Sequence, residues 1–186
     1  MRGYLPICVA AIVSLISSCA KSDKGIAPLP EAWPRMEINS DSYKTLDPGG
    51  KTLRLNSALK VEAERKEGAL WLTMSYPQFP QGHFYLTLSR VADPAEAIGN
   101  RMERMKINAG GAPGEELTLT SEGGWEGMII HTPQSLTTPV QILAVKGDSI
   151  LSGAWYMQLP ASTPADSVAP AVNAALGDMT EMLKAL

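Results

Sequence analysis

Apolar and polar residues alternate with a period of two along most of the chain between residues 51 and 159, and this period is typical of β-strands. The alternation predicts strands over 51–56, 58–65, 70–76, 83–89, 116–121, 125–132, 139–146 and 149–159. Three short connections carry turn residues, at Phe79–Gly82, Gly123-Gly124 and Gly147-Asp148. Tight turns of this kind join antiparallel strands, so the pattern predicts a sheet built mostly from hairpins.

Two segments change to the helical period of 3.6. Asp93 is a suitable N-cap, Pro94 fits the first helical position, and the glycine-rich run 109–114 ends this first helix. The second helix is predicted to begin near Asp166, with Asp166 or Ser167 as the cap, because Pro170 follows about one turn later. Its apolar stripe continues to the end of the chain, as an amphipathic helix on a core requires.

The order of these elements is strands, helix, strands and helix. It predicts an α+β domain with a single antiparallel sheet of about 7–8 strands and two helices packed on one face. In pattern, this order resembles the sandwich of the PsbP and Mog1 type.

The first residues predict a lipoprotein signal. A run of 12 apolar or small residues from Leu5 to Ile16 follows Arg2, and Ser17 and Ser18 precede Cys19. The alternative is a transmembrane helix, but a bilayer crossing needs about 20 apolar residues, and the run contains Pro6. We therefore expect cleavage before Cys19 and attachment of lipid to Cys19, which would hold the mature protein on a membrane.

Three regions follow from this prediction: a signal peptide over 1–18, a proline-rich tether over 19–34, and one globular domain over 35–186. An alternative for Trp33 and Pro34 is that they are the first residues docked on the domain. Only Cys8 and Cys19 occur in the chain, so no disulfide is expected in the mature protein. The predicted location is the cell envelope, facing the periplasm.

Charge argues against a polyanionic partner. The net charge is −3, and loss of Arg2 with the signal makes it −4, with acidic and basic residues interspersed. Nucleic-acid binding needs clustered Lys and Arg, so none is expected. Gly50-Lys51-Thr52 resembles the end of a phosphate loop, but Thr45 stands where the motif requires glycine, and a strand rather than a helix follows. We therefore interpret the glycines as a tight turn and expect no nucleotide or other cofactor.

Candidate catalytic residues are few. His83 and His131 are the only histidines and lack the short-range partners of metal motifs, although neighbouring strands could bring them together. No GxSxG motif is present, and the acidic residues Glu115-Glu116 and Glu122 flank turns and edges. We therefore expect no catalytic residues, no metal site and no enzymatic activity.

The other candidate sites also have structural explanations. Asp148-Ser149-Ile150 and Asp166-Ser167-Val168 resemble short O-glycan acceptor sequences, but turn or cap duty also explains their Asp and Ser. The strand aromatics are Trp71, Tyr85, Trp125, Trp155 and Tyr156. They predict either an exposed partner surface or a second small core beneath the N-terminal segment.

Several segments together resemble the gliding motility-associated lipoprotein family GldD. They are the lipobox at Cys19, WPRMEI at 33–38 with Tyr43, WLTMSYPQF at 71–79, and TPVQILAV, SGAWYM and ADSVAPAV between 138 and 172. The resemblance implies an envelope lipoprotein of the gliding machinery, which is linked with type IX secretion, and no established catalytic activity. Only Cys19 carries over as a functional residue.

Three hypotheses follow. The first is a non-enzymatic, lipid-anchored component of the gliding or secretion machinery that acts by binding other envelope proteins. The second is an extracytoplasmic ligand-binding lipoprotein, which requires a concave pocket with a few convergent polar groups. The third is an envelope hydrolase, which requires His83 or His131 beside a carboxylate and a nucleophile.

Overall fold

The computed structural model of the protein describes residues 42–186, which contain nine β-strands and two α-helices. The strands are β1 (Tyr43–Leu46), β2 (Leu53–Asn56), β3 (Lys60–Lys66), β4 (Ala69–Tyr76), β5 (Phe79–Arg90), β6 (Glu115–Thr120), β7 (Glu126–His131), β8 (Val140–Lys146) and β9 (Ser149–Met157). The helices are α1 (Pro94–Asn108) and α2 (Ala165–Lys184). The predicted docking of Trp33 and Pro34 and the tether lie outside the described residues.

Seven strands form one antiparallel sheet in the order β3-β4-β5-β9-β8-β7-β6. The predicted α+β fold with an antiparallel sheet built largely from hairpins is confirmed. The strand predicted over 51–56 is shorter and lies apart from this sheet, because β2 pairs with β1 in a separate two-stranded hairpin. A 3₁₀ turn over Pro48–Gly50 joins these two strands, so the glycines there do form a tight turn.

The main core lies between α2 and one face of the sheet, which we call the α2 face. Its fully buried side chains come from the four central strands and from the apolar stripe of the helix: Leu72, Leu86, Ile142, Leu151, Trp155, Met179 and Met182 are among the largest. Burial of an apolar side chain of this size stabilises the fold by about 1.5–3 kcal/mol each. The C-terminal helix is therefore an integral part of the domain.

Helix α1 packs on the other face, which we call the α1 face. Met105 of α1 contacts Leu143 and Ile150 in a smaller core, and these two residues point away from their neighbours Ile142 and Leu151 on the α2 face. The prediction that both helices lie on one face is therefore wrong. The reason is that β8 and β9 are apolar on both sides, and strands of this composition need cover on both faces.

The ends of α1 are fixed by side chains. Asp93 accepts a hydrogen bond from the backbone N–H of Glu96 at 3.0 Å, which confirms the predicted N-cap. At the other end, Gln141 Nε2 donates to the Met105 carbonyl and Thr138 Oγ1 donates to the Asn108 carbonyl, both at 2.9 Å. The connection between β7 and β8, together with the start of β8, therefore holds the C-terminal end of α1.

Helix α2 begins slightly earlier than predicted. Its first residue is Ala165 and its N-cap is Pro164, so neither Asp166 nor Ser167 is the cap. The hydroxyl of Ser167 instead donates to the Pro164 carbonyl at 2.6 Å. Pro170 therefore lies inside the helix, where it removes one backbone hydrogen bond from an exposed early turn.

The connection between β4 and β5 also differs from the prediction. Tyr76 pairs with Phe79, so the turn is Pro77-Gln78 and the segment Phe79–Gly82 belongs to β5. Ser75 pairs with His83, and residues 80–82 therefore form a bulge in the ladder. A proline fits such a bulge, since it donates no ladder hydrogen bond. Gly82 is needed because a Cβ there would lie 2.6 Å from Trp155 Cζ2.

The other two predicted hairpins are confirmed. Gly147 has a φ of 59° in the turn between β8 and β9, and Gly124 has a φ of 75° in the connection between β6 and β7. Positive φ angles of this kind are the reason that glycine marks both turns.

Candidate functional site

Helix α1 covers only part of its face of the sheet. It packs over β8 and β9, and beside it β4 and β5 remain open on the same face. The step between the helix and these strands forms a groove of about 440 Å³. Its size lies within the range of ligand-binding clefts, so we take this groove as the candidate functional site.

Three aromatic side chains form the floor of the groove, and we call them the aromatic strip: Trp71 of β4, Tyr85 of β5 and Tyr156 of β9. Trp71 is 50% exposed and Tyr85 is 45% exposed. The rings of Tyr85 and Tyr156 meet edge to face with centroids 5.6 Å apart, and His83 stacks on Tyr85 at 5.8 Å. Large exposed aromatic groups of this kind are characteristic of binding surfaces.

Two arginines of α1 form the wall of the groove. Arg101 donates from Nε to Ser152 Oγ at 2.9 Å and from its terminal nitrogen to Ser89 Oγ at 3.3 Å. Within residues 42–186, neither Arg101 nor Arg104 forms an ion pair with a carboxylate. Burial, and then the like charge of Arg104, lower the pKa of Arg101, but a guanidinium stays charged at neutral pH. The wall is therefore cationic and not neutralised by the described chain.

The remaining lining is mostly polar or small, with Thr87, Asn108 and Gln141 among its side chains, and it also includes the apolar Met105 and Ile142. No Asp or Glu lines this groove in the described chain. On the strand next to β4, Glu62 and Glu64 of the edge strand β3 lie on the same face by register, and Glu64 pairs with Trp71. The same face of β3 also carries Lys66 and Lys60, which pairs with Glu62 at 2.8 Å, so the charges of β3 balance. The positive charge without an acidic partner in the described chain therefore lies on the α1 side of the aromatic strip. Such an arrangement suits a ligand that carries an anion beside an apolar or aromatic group.

A second polar cluster lies in the core on the α2 face. The carboxylate of Asp178 in α2 is 6% exposed and accepts hydrogen bonds from Tyr43 Oη at 2.7 Å, from Asn56 Nδ2 at 3.2 Å and from Tyr76 Oη. Burial, together with the Asp178 carboxylate, raises the pKa of both tyrosines well above the ordinary value. The cluster joins the β1–β2 hairpin to α2 and β4, so its role is to fix the N-terminal part of the described chain on the domain.

These raised tyrosine pKa values predict a loss of stability at alkaline pH. An unfolded tyrosine ionises near pH 10, whereas the folded form keeps its proton, so the stabilisation is complete below pH 10 and falls above it. For Tyr76 the free energy of unfolding is expected to fall by about 1.4 kcal/mol per pH unit above about pH 10. Urea unfolding of wild type and Tyr76→Phe between pH 8 and 11 tests this.

Tyr85→Phe is the matched control for that experiment, because Tyr85 is exposed and has no carboxylate partner among the described hydrogen bonds. It should keep the alkaline slope of the wild type, and Tyr76→Phe should reduce it. Equal slopes for all three proteins would contradict the assignment.

The two histidines are not brought together. His83 pairs with Tyr156 and lies on the α1 face, whereas His131 pairs with Val140 and lies on the α2 face. His131 Nδ1 lies 3.7 Å from an oxygen of the exposed Glu115. Within residues 42–186, no three His, Cys, Asp or Glu side chains are grouped closely enough to hold a metal ion.

The other sequence candidates lie at the surface. Glu116 and Glu122 are exposed, at the start of β6 and after its end. Asp148 occupies the turn between β8 and β9, where Ser149 Oγ donates to its carboxylate at 3.1 Å. Lys51 lies over the ring of Trp125 at 5.2 Å and is followed by β2 rather than by a helix. Cys19 lies outside the described residues.

The strand aromatics divide between two roles. Trp125 and Trp155 are buried in the core on the α2 face, whereas Trp71 and Tyr85 are exposed on the other face. Of the two alternatives, the exposed surface describes Trp71 and Tyr85, whereas Tyr156 is half-buried and two of the five candidates belong to the main core.

Sequence reasoning missed Arg101, Arg104 and Asp178. Asp178 carried a signal, because it falls on the apolar stripe of α2 between Ala175 and Met182, where a charged residue is unexpected. Nothing in the local sequence marks the two arginines, because charged residues on a helix are ordinarily solvated. Only the packing of α1 directs these two side chains into the groove.

No known protein-family model matches this sequence, and a search of curated proteins returns no match. Within the described part of the chain, neither helix is both long enough and apolar enough to span a lipid bilayer.

Proposed function

We propose that the protein is a lipid-anchored, non-enzymatic component of the gliding motility and type IX secretion machinery of the cell envelope, and that it binds other envelope proteins through the groove. The observation that carries the binding role is the aromatic strip lying open beside two arginines without a carboxylate partner in the described chain. The machinery role is supported by the resemblance of the segments around Cys19, Trp71 and Gly153 to the GldD family.

Membrane attachment through Cys19 is the part of this proposal with the sharpest genetic test. A strain lacking the gene is complemented with wild type, Cys19→Ala or Cys8→Ala, and surface spreading and the profile of secreted proteins are scored in the same strains. We expect wild type and Cys8→Ala to restore both traits and Cys19→Ala to lose membrane association and to restore neither. Lipid anchoring supplies about 0.8 kcal/mol per buried methylene, so its loss should release the protein from the membrane.

Cys8→Ala is the matched control because it removes the other cysteine of the chain from the segment that signal cleavage would discard. A deletion strain that spreads and secretes normally would contradict the machinery role. Full rescue by Cys19→Ala would contradict the anchor.

A second candidate function is supported by the groove itself. Its volume of about 440 Å³, its aromatic floor and its few polar side chains also suit an extracytoplasmic lipoprotein that binds a small ligand. This candidate becomes the stronger of the two if deletion leaves both spreading and secretion unchanged.

A further inference from the structure

We propose that the groove binds an acidic peptide segment of a partner protein, with a carboxylate of the segment at Arg101 and Arg104 and an aromatic or aliphatic side chain on Trp71 and Tyr85. The inference rests on the proposed function, because it states the chemistry of the partner that the groove would bind. It adds to the aromatic surface two residues that the sequence did not single out, Arg101 and Arg104.

Charge is the first argument. Arg101 is partly buried against Ser89 and Ser152, and its described hydrogen bonds go only to neutral hydroxyls. Arg104 makes no hydrogen bond or ion pair within residues 42–186, and no acidic side chain lines the groove. Two guanidinium groups from successive positions of one helix face favour a carboxylate, which accepts paired hydrogen bonds from them.

Shape is the second argument. Trp71 and Tyr85 are each about half exposed, so the site is a shallow groove rather than an enclosed cavity. Small-molecule sites usually bury about 70–90% of their ligand, and an open groove covers a ligand from fewer sides than a closed pocket does. An extended segment fits better, because Thr87 and Asn108 line the groove and make no side-chain hydrogen bond within the described residues. Both can bond to the main chain of a peptide.

The register of the sheet gives the segment a direction. Glu62 and Glu64 lie on the same face along the edge strand β3, beyond the aromatic strip. Lys66 and Lys60, which pairs with Glu62 at 2.8 Å, balance the charge of these glutamates on that side. The arginines beside α1 have no acidic partner in the described chain, so they favour a carboxylate there. The acidic residue of the segment therefore lies toward the helix and its apolar residue lies over the strip.

The test begins with a phage-displayed library of short random peptides, selected on the full-length lipidated protein in detergent. Selected peptides are expected to carry Asp or Glu close to an aromatic or aliphatic residue. One selected peptide is then labelled, and its affinity is measured by fluorescence anisotropy. Replacing its acid by the amide, or making Arg104→Gln in the protein, should each weaken binding by about tenfold, and the two changes together should weaken it little further.

Arg104 is the informative position because Arg101 also holds α1 to the sheet. Lys106→Gln is the matched control, since it removes one positive charge from the same helix at a residue that does not line the groove. It should change the affinity by less than about twofold, and Trp71→Ala should weaken binding at least as much as Arg104→Gln.

Three outcomes would overturn the inference. They are a selection that yields no binding peptide, selected peptides without an acidic residue, and an affinity that Arg104→Gln leaves unchanged. Because these measurements need no cell, a deletion strain without a phenotype would contradict the proposed machinery role while leaving the peptide result intact.

Discussion

Asp178→Ala should lower the free energy of unfolding by about 2–4 kcal/mol, since three donors lose a buried acceptor and each unsatisfied donor costs about 1–3 kcal/mol. The loss of stability should be smaller than the sum of three such costs. The change also removes the cost of burying a carboxylate, and Tyr43 is only partly buried. Tyr76 contributes most of the loss, since it is fully buried and cannot turn its hydroxyl to solvent.

Chemical denaturation of the purified protein measures this effect. Asp166→Ala is the matched control, because Asp166 is an exposed acid in the first turn of the same helix, and it should change stability by less than about 1 kcal/mol. Asp178→Asn should fall between wild type and alanine, since the amide keeps one acceptor oxygen. An alanine variant as stable as Asp166→Ala would mean that the three donors find other partners in solution.

Gly153→Ala should destabilise the protein by about 3 kcal/mol or more, because the added methyl group has no space between the two central strands. A Cβ at Gly153 would overlap the carbonyl oxygen of Tyr85 and lie 2.8 Å from Leu86 Cα. Both atoms belong to the backbone of β5, which pairs with β9 from Gly82 to Arg90, so relief requires the strands to move apart. The same movement would displace Tyr85 and Tyr156 of the aromatic strip.

Gly177→Ala is the same chemical change, but it should have the opposite effect on the stability of the protein. Gly177 lies within α2, and a Cβ there meets no atom within 4 Å. Alanine should therefore stabilise the protein by about 0.5–1 kcal/mol, because it reduces the conformational freedom of the unfolded chain. Thermal unfolding of the two variants beside wild type gives the comparison. Similar stability for both would show that the sheet adapts at Gly153.

Local patterns were enough to predict most of the elements. The alternation around Leu72 and Leu86 placed β4 and most of β5, and the cap at Asp93 placed the start of α1. These features depend on neighbours within a few residues, and the sequence contains that information directly.

The errors occurred where distant residues decide the local structure. Pro80 and Gly82 look like a turn, but the ring of Trp155, far along the chain, requires a bulge with glycine at that place. The error about the face that α1 covers is different, because the sequence contained enough information to avoid it. Most side chains on both faces of β8 are apolar, and a strand of that kind is buried on both sides.

The candidate site could be predicted only in part. The alternation at Trp71 indicated that this residue points away from the main core, and the exposed strip follows from it. The arginines could not be predicted, because Arg101 reaches Ser152 only when α1 crosses β9 at the observed position. That position depends on tertiary packing rather than on local sequence.

The hydrogen bond between Tyr43 and Asp178 also has a mechanical consequence. If the protein is tethered through Cys19 and binds a partner as proposed, any pull between the membrane and that partner would enter the described chain beside Tyr43, the first residue of β1. The side chain at this entry point is attached to α2 rather than only to the neighbouring strand. Tension would therefore be shared with the C-terminal helix, and the small hairpin would not have to resist peeling alone.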